Sequence, residues 1–176
     1  MELSLTKEQR QVAHAAATEE TGPVLATVCI RKNKLIASDG FVMAETTLED
    51  IHETHEDILI PAKDILKAKD IKSTGNIMLH NNGEAGKARL IDSEGEKVIA
   101  LTQGSFPNTE ALYPKDKPVF RIGLSCKTLS TMLRVAGWDN YVKLTFYGEG
   151  RPVKFEAPNT DTQGLVMPYS VQWGAK

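Results

Sequence analysis

Apolar side chains recur along this chain in two rhythms, every second residue in short runs and every third or fourth in longer ones, and the rhythms succeed each other in the same order three times. The first round opens with the apolar stretch Met1 to Leu5. Thr6 stands in an N-cap position before Lys7 to Ala17, where Val12, Ala13 and Ala16 form a helical stripe, and Thr21-Gly22-Pro23 ends it. Val24 to Arg31, Lys34 to Ser38 and Phe41 to Leu48 then read as strands, with turns at Lys32-Asn33 and Asp39-Gly40.

The second round begins with Asp57 to Ile60 and with Pro61, a residue suited to the first helical position, ahead of a helix over Ala62 to Ile71 whose inward side is Ala62, Ile65 and Leu66. Strands are expected at Asn76 to His80, Lys87 to Asp92 and Lys97 to Thr102. The third starts with the alternating run Val119 to Leu124. Ser125 then caps a helix over Cys126 to Ala136 with Leu129, Met132, Leu133 and Ala136 inward, Gly137 stops it, and Tyr141 to Tyr147, Val153 to Glu156 and Gly164 to Val171 follow as strands. Repeated helices over one face of antiparallel sheet predict an α+β fold with helices on one surface and strands on the other.

The 176 residues suffice for a substantial core, so neither disulfides nor a structural metal are needed. Cys29 and Cys126 lie far apart in apolar-patterned segments and read as two buried, reduced thiols. No apolar run approaches the roughly 20 residues that span a bilayer, and the chain opens without a signal-peptide pattern, so a cytoplasmic protein with no membrane partner is expected. With 21 basic and 23 acidic side chains the net charge is −2, so attraction to nucleic acid must come from local segregation of charge. Lys63, Lys67, Lys69 and Lys72 do cluster, just after the acidic stretch Glu45 to Asp57.

Four segments resemble the bacterial DNA polymerase III beta subunit, the sliding clamp. ASDGFVMAE at Ala37 to Glu45 is similar to the clamp's (A/T)DGHRLA stretch, and DILIPAKDILKA at Asp57 to Ala68 to its VIVPRKGVIEL passage from strand to helix. GSFPNTEALYP at Gly104 to Pro114 resembles GRFPDYRRVLP before the inter-domain linker, and GLVMPYSV at Gly164 to Val171 resembles YVVMPMRL near the C-terminus. The resemblance implies a DNA-clamp fold: one complete domain over 1–112 made of rounds 1–50 and 57–105, a linker at 113–118, and half a domain over 119–176. Full clamp subunits carry more rounds than this, so a member shortened by an opening domain and a half-domain is expected, with ring closure in doubt.

The same resemblance implies a protein without catalysis or cofactor that holds double-stranded DNA, docks DNA polymerase or other clamp-binding peptides, and assembles as a homo-oligomer. Phosphate attraction needs Lys or Arg collected on one face. The candidates are Lys7 and Arg10, Lys63, Lys67, Lys69 and Lys72, and Lys127 and Arg134, expected on the solvent side of the three helices. The peptide pocket carried over from the resemblance comprises Ser38, Gly40, Phe41, Val42 and Met43, then Pro114, then Leu165, Val166, Met167, Pro168 and Tyr169. Phe41-Val42 stands where the clamp has His-Arg, and Tyr169-Ser170 where it has Met-Arg, so two basic pocket residues are missing.

Two rival readings come from the same residues. A degenerate clamp homologue would dock peptides or regulate replication proteins without encircling DNA. A metal-dependent hydrolase would need a ligand set, and His52-Glu53-Thr54-His55-Glu56-Asp57 offers histidines and carboxylates. Its histidines are three apart, not four as in HExxH, and no helical stripe accompanies them, so the segment reads as a solvated connector and no metal residues are assigned.

Overall fold

In the computed structural model, which describes residues 1–49, 54–81, 83–138 and 141–173, the chain divides into two compact units, Met1–Tyr113 and Pro114–Lys176. The first contains strands β1 (Glu2–Leu5), β2 (Thr27–Lys32), β3 (Lys34–Ser38), β4 (Met43–Thr47), β5 (Thr54–Pro61), β6 (Ile77–His80), β7 (Lys87–Asp92) and β8 (Gly95–Ala100). Its helices are α1 (Lys7–Arg10), continued by a 3-10 segment Gln11–Ala15, and α2 (Ala62–Lys67). Two four-stranded antiparallel sheets result, in the orders β4-β3-β2-β5 and β1-β6-β7-β8.

These orders contain an exchange. Each sheet has three consecutive strands of one round plus the lead strand of the other. β5 pairs with β2, placing Ile60 opposite Val28 and Ile58 opposite Ile30. β1 pairs with β6, placing Leu5 opposite Ile77 and Leu3 opposite Leu79. In both cases the residue two positions before the helix sits deep in the shared core, Leu5 at 0% and Ile60 at 1% exposure. That core draws on both rounds, joining Val12, Ala13 and Ala15 to Ile65, Leu90 and Ile99. A smaller cluster of Cys29, Ile36, Leu59 and Phe106 forms separately, its strand residues alternating with those that point into the main core.

The first helix is shorter than its stripe suggested. Thr6 accepts from Gln9 N and Gln9 Oε1 accepts from Thr6 N, a capping box. Beyond Arg10 the winding tightens to three residues per turn, which stacks Val12 and Ala15 on one buried line. Pro61 ends β5 instead of opening α2, because its backbone is extended while Ala62 starts the turn. α2 stops at Lys67, well short of Ile71, and Leu66, expected inward, is exposed.

The second unit is smaller. α3 (Cys126–Ala136) packs on a three-stranded antiparallel sheet β11-β10-β9, formed by β9 (Lys143–Thr145), β10 (Val153–Ala157) and β11 (Thr162–Val166). Its buried cluster consists of Met132, Phe155 and Val166, supported by Leu124, Leu129 and Val142. Gly137 closes α3 with φ 87°, a conformation other residues reach only with strain. Leu133, expected inward, is 36% exposed, and Cys126 is exposed, contrary to the expectation of two buried thiols. Val119 to Leu124 is not a strand here. A lead segment of the first unit forms its ladder on the other round's sheet, and among the described residues this unit shows a single sheet. Among the described residues no helix is long and apolar enough to cross a membrane.

A candidate peptide cleft and the basic helix faces

The first expected pocket group lies on the tight turn between β3 and β4. Asp39 Oδ1 accepts from the backbone N–H of Phe41 at 2.8 Å and of Val42 at 2.7 Å, while Ser38 Oγ accepts from Gly40 N at 3.1 Å. Those two backbone donors hold the Asp39 carboxyl below its usual range. The turn lifts Phe41 into solvent at 98% exposure and Val42 at 56%, whereas Ser38 is buried and Met43 packs on the Phe106 cluster. A benzyl group fully in water on a hydrogen-bonded scaffold is a ready anchor for an apolar partner. Asp39, which sets that pose, was not among the residues expected.

The second group lies on β11 and the chain after it. Alternation puts Val166 in the core at 3% exposure and Leu165 out at 66%; Met167 and Tyr169 are exposed at 61% and 67%. Pro168 and Tyr169 line a cleft of about 260 Å³ with Phe120, Arg121, Val171 and Trp173. Its floor depends on close approach of two backbones, Tyr169 N donating to Gly123 O at 2.8 Å. A Cβ at Gly123 would collide with the Val171 side chain and stand 2.7 Å from Tyr169 O, so only glycine fits. The Arg121 guanidinium lies 5.7 Å from the centre of the Trp173 ring, a cation held over an aromatic face. The composition of the Pro168–Tyr169 segment suggested that this site had lost its basic side chain; Arg121, from a segment read only as a strand, provides one.

Leu165 and Val166 instead border a second groove with Met132, Val135, Phe155 and Lys127 of the same unit. Pro114 is exposed at the start of that unit. The expected pocket residues are thus carried by two units, Ser38 to Met43 on the first and Pro114 with Leu165 to Tyr169 on the second.

The basic residues divide into two kinds. Arg10 is not on a solvent face. It is 8% exposed, its Nη1 donates to Ala68 O at 2.9 Å and its Nη2 pairs with Asp70, so it clamps α1 to the segment after α2. Burial pushes its pKa down from the ordinary guanidinium value. Lys63 and Lys69 are exposed but paired, with Glu19 at 2.6 Å and Glu94 at 2.5 Å. Lys7, Lys67, Lys72, Lys127 and Arg134 are exposed and make no ion pair among the described residues. Of the eight expected cations, these five are exposed and free of a carboxylate partner among the described residues.

His52 and Glu53 of the acidic stretch lie outside the described residues, as does the side chain of His55. Among the described residues no group of three or more His, Cys, Asp or Glu could hold a metal ion.

No family model and no curated protein matches the chain. Solved structures do. The DNA polymerase sliding clamp from Bacillus subtilis aligns with 96% of this chain at 17% identity and a TM-score of 0.67, using 49% of its own length. The Pseudomonas aeruginosa sliding clamp bound to griselimycin aligns with 96% at 16% identity and a TM-score of 0.69, using 50% of its length. The DNA polymerase III subunit beta from Borrelia burgdorferi in complex with a natural product covers 94% at 19% identity, with a TM-score of 0.67 and 47% of its length. The chain therefore has the fold of the bacterial DNA polymerase III beta-subunit sliding clamps, and spans about half the length of those it matches.

Proposed function

We propose that this chain is a clamp-type tethering protein of DNA replication, acting in the cytoplasm without catalysis or cofactor: it docks a short apolar segment of a polymerase or similar partner and holds it near double-stranded DNA. The observation that carries this reading is the cleft at Pro168–Tyr169, where an aromatic wall and the Arg121 cation stand on the sliding-clamp fold. Two adjacent apolar side chains would fill the cleft, and a neighbouring carboxylate would meet Arg121. Phe41 and Val42 are a second apolar contact on the first unit.

The DNA part of the reading rests on Lys7, Lys67, Lys72, Lys127 and Arg134, which would track phosphates without reading sequence. A homo-oligomer would multiply these weak contacts. The alternative, a clamp homologue that docks peptides without surrounding DNA, is favoured by the withdrawal of Arg10 into an internal ion pair and the pairing of Lys63 and Lys69.

Fluorescence anisotropy with labelled peptides carrying two adjacent apolar residues and one acidic residue tests the docking. Arg121→Ala should weaken the acidic peptides about tenfold and leave neutral ones nearly unchanged; equal loss for both would remove the assigned role. Retention on circular but not on linear duplex DNA would support tethering by encirclement, and equal loss from both forms favours the alternative.

A further inference from the structure

Arg121 does not carry the cleft's charge alone. Glu149, in the turn between β9 and β10, lines the same cleft of about 260 Å³ beside Gly150. On the docking reading above, we propose that Glu149 selects the partner: the segment that enters the cleft carries a basic side chain as well as an acidic one beside its apolar pair, so that each charge of the cleft meets an opposite one.

The sequence sets this carboxylate between two glycines. Gly148 has φ 125° and Gly150 φ 69°, and Arg151 N donates back to Gly148 O at 3.4 Å, which closes the turn. A Cβ at either glycine would meet open space, so the demand there is on backbone conformation and not on room. Glu149 and Arg121 are both exposed, and neither makes an ion pair among the described residues, with the other or with any third group. Arg121 lies over the Trp173 ring instead. In the first unit, by contrast, Lys34 and Glu45 close on each other at 2.7 Å and Arg31 and Asp57 at 2.6 Å.

Two open charges of opposite sign restrict what can cover them. An occupant that displaces water from the cleft must supply counter-charges, or it leaves a charge with neither water nor partner. A segment with an acidic side chain alone satisfies Arg121 but sets a like charge against Glu149, and one with a basic side chain alone does the reverse. A segment with both satisfies each. The carboxylate also disfavours the phosphates of a nucleic-acid strand, for which the wall of Phe120, Tyr169 and Trp173 would otherwise offer stacking surfaces. Size agrees with a peptide. At about 260 Å³ the cleft falls below the roughly 300–1,000 Å³ of sites that enclose a whole small molecule, so it takes a few side chains of a chain that continues outside it.

Fluorescence anisotropy at low salt compares three labelled peptides that share two adjacent leucines: one with an aspartate alone, and two with an aspartate on one side and a lysine on the other, in the two orders. One of the doubly charged peptides should bind wild type about three- to fivefold tighter than the aspartate-only peptide, the size expected of a solvent-screened ion pair. Glu149→Gln should erase that advantage without weakening the aspartate-only peptide, and Glu149→Lys should reverse it. The turn is exposed, so both variants should keep the wild-type circular dichroism spectrum. Equal affinity for the three peptides, or an advantage that survives Glu149→Gln, would overturn the role of Glu149 and leave the docking by Arg121 and the aromatic wall standing. Failure of every peptide to bind wild type would overturn the docking itself, and the role of Glu149 with it.

Discussion

Arg31 and Asp57 face each other across neighbouring strands in a two-pronged ion pair, Nε to Oδ1 at 2.8 Å and Nη2 to Oδ2 at 2.6 Å. The same guanidinium donates to the carbonyls of Phe106 and Pro107 at 2.8 and 2.9 Å, fastening the segment after β8 to the sheet that holds Cys29 and Leu59. Asp57 holds the Arg31 pKa above its ordinary value.

Arg31→Met should therefore cost about 2–3 kcal/mol, since it leaves a largely shielded carboxylate without its partner and frees two carbonyls. Urea unfolding measures the loss. A double-mutant cycle with Asp57→Asn should return a coupling near 2 kcal/mol, because the remaining loss of the carbonyl contacts belongs to Arg31 alone.

Cysteine reactivity should separate the two thiols. Burial, with a smaller contribution from Asp57, pushes Cys29 up to about 12, while Cys126 is exposed at the start of α3. A thiol reagent at pH 8 should label one cysteine per native chain within minutes and the second only in denaturant. Peptide mapping that finds Cys29 modified in the native protein would contradict its placement.

Asp92 gives the clearest pH dependence. Its side chain is inaccessible to solvent, and it accepts from Lys97 Nζ at 2.8 Å and from Glu94 N at 2.8 Å, with a longer contact of 3.4 Å to Lys69 N. The Lys97 bond lowers its folded pKa despite burial. Because the folded value lies below the unfolded one, its stabilisation is present above the unfolded pKa and disappears as the pH falls through the folded one. Asp92→Asn should destabilise by about 1–3 kcal/mol at pH 7, and the gap to wild type should shrink steadily below pH 4. Thermal unfolding at a series of pH values reads both.

DNA binding, if it follows the proposed route, should distinguish buried from open cations. Replacing Lys67, Lys72 and Arg134 with glutamine should weaken binding and lower the slope of log affinity against log salt by about 0.9 for each phosphate no longer neutralised. Arg10→Met should leave that slope unchanged and reduce stability by about 1–3 kcal/mol, as expected for a residue that joins two backbone segments.

Much of the local structure is written in short-range signals. β3 at Lys34–Ser38, β7 at Lys87–Asp92 and α3 at Cys126–Ala136 fall where apolar spacing and turn residues place them, although Ser125, expected to cap α3, makes no side-chain hydrogen bond at its start. Partnership is different. That β5 joins β2, or β1 joins β6, depends on surfaces assembled from residues far apart, and nothing in either run marks its destination. Arg10 reads as a solvated helix residue because its partner, Asp70, lies sixty positions away. The site shows the same division. The Asp-Gly turn under Phe41 is legible, but the meeting of Arg121 with Trp173 is visible only once the chain is folded.

The lending of lead strands bears on how the chain is made. As it leaves the ribosome, the sheet seeded by β2 waits for Ile58 and Ile60 before its open side is closed, and β1 waits longer still for Leu79. Neither round of the first unit can finish without the other. A nascent chain halted near residue 50 would expose both unfinished surfaces to chaperones and to its neighbours on a polysome, and separately expressed halves should become soluble only when produced together.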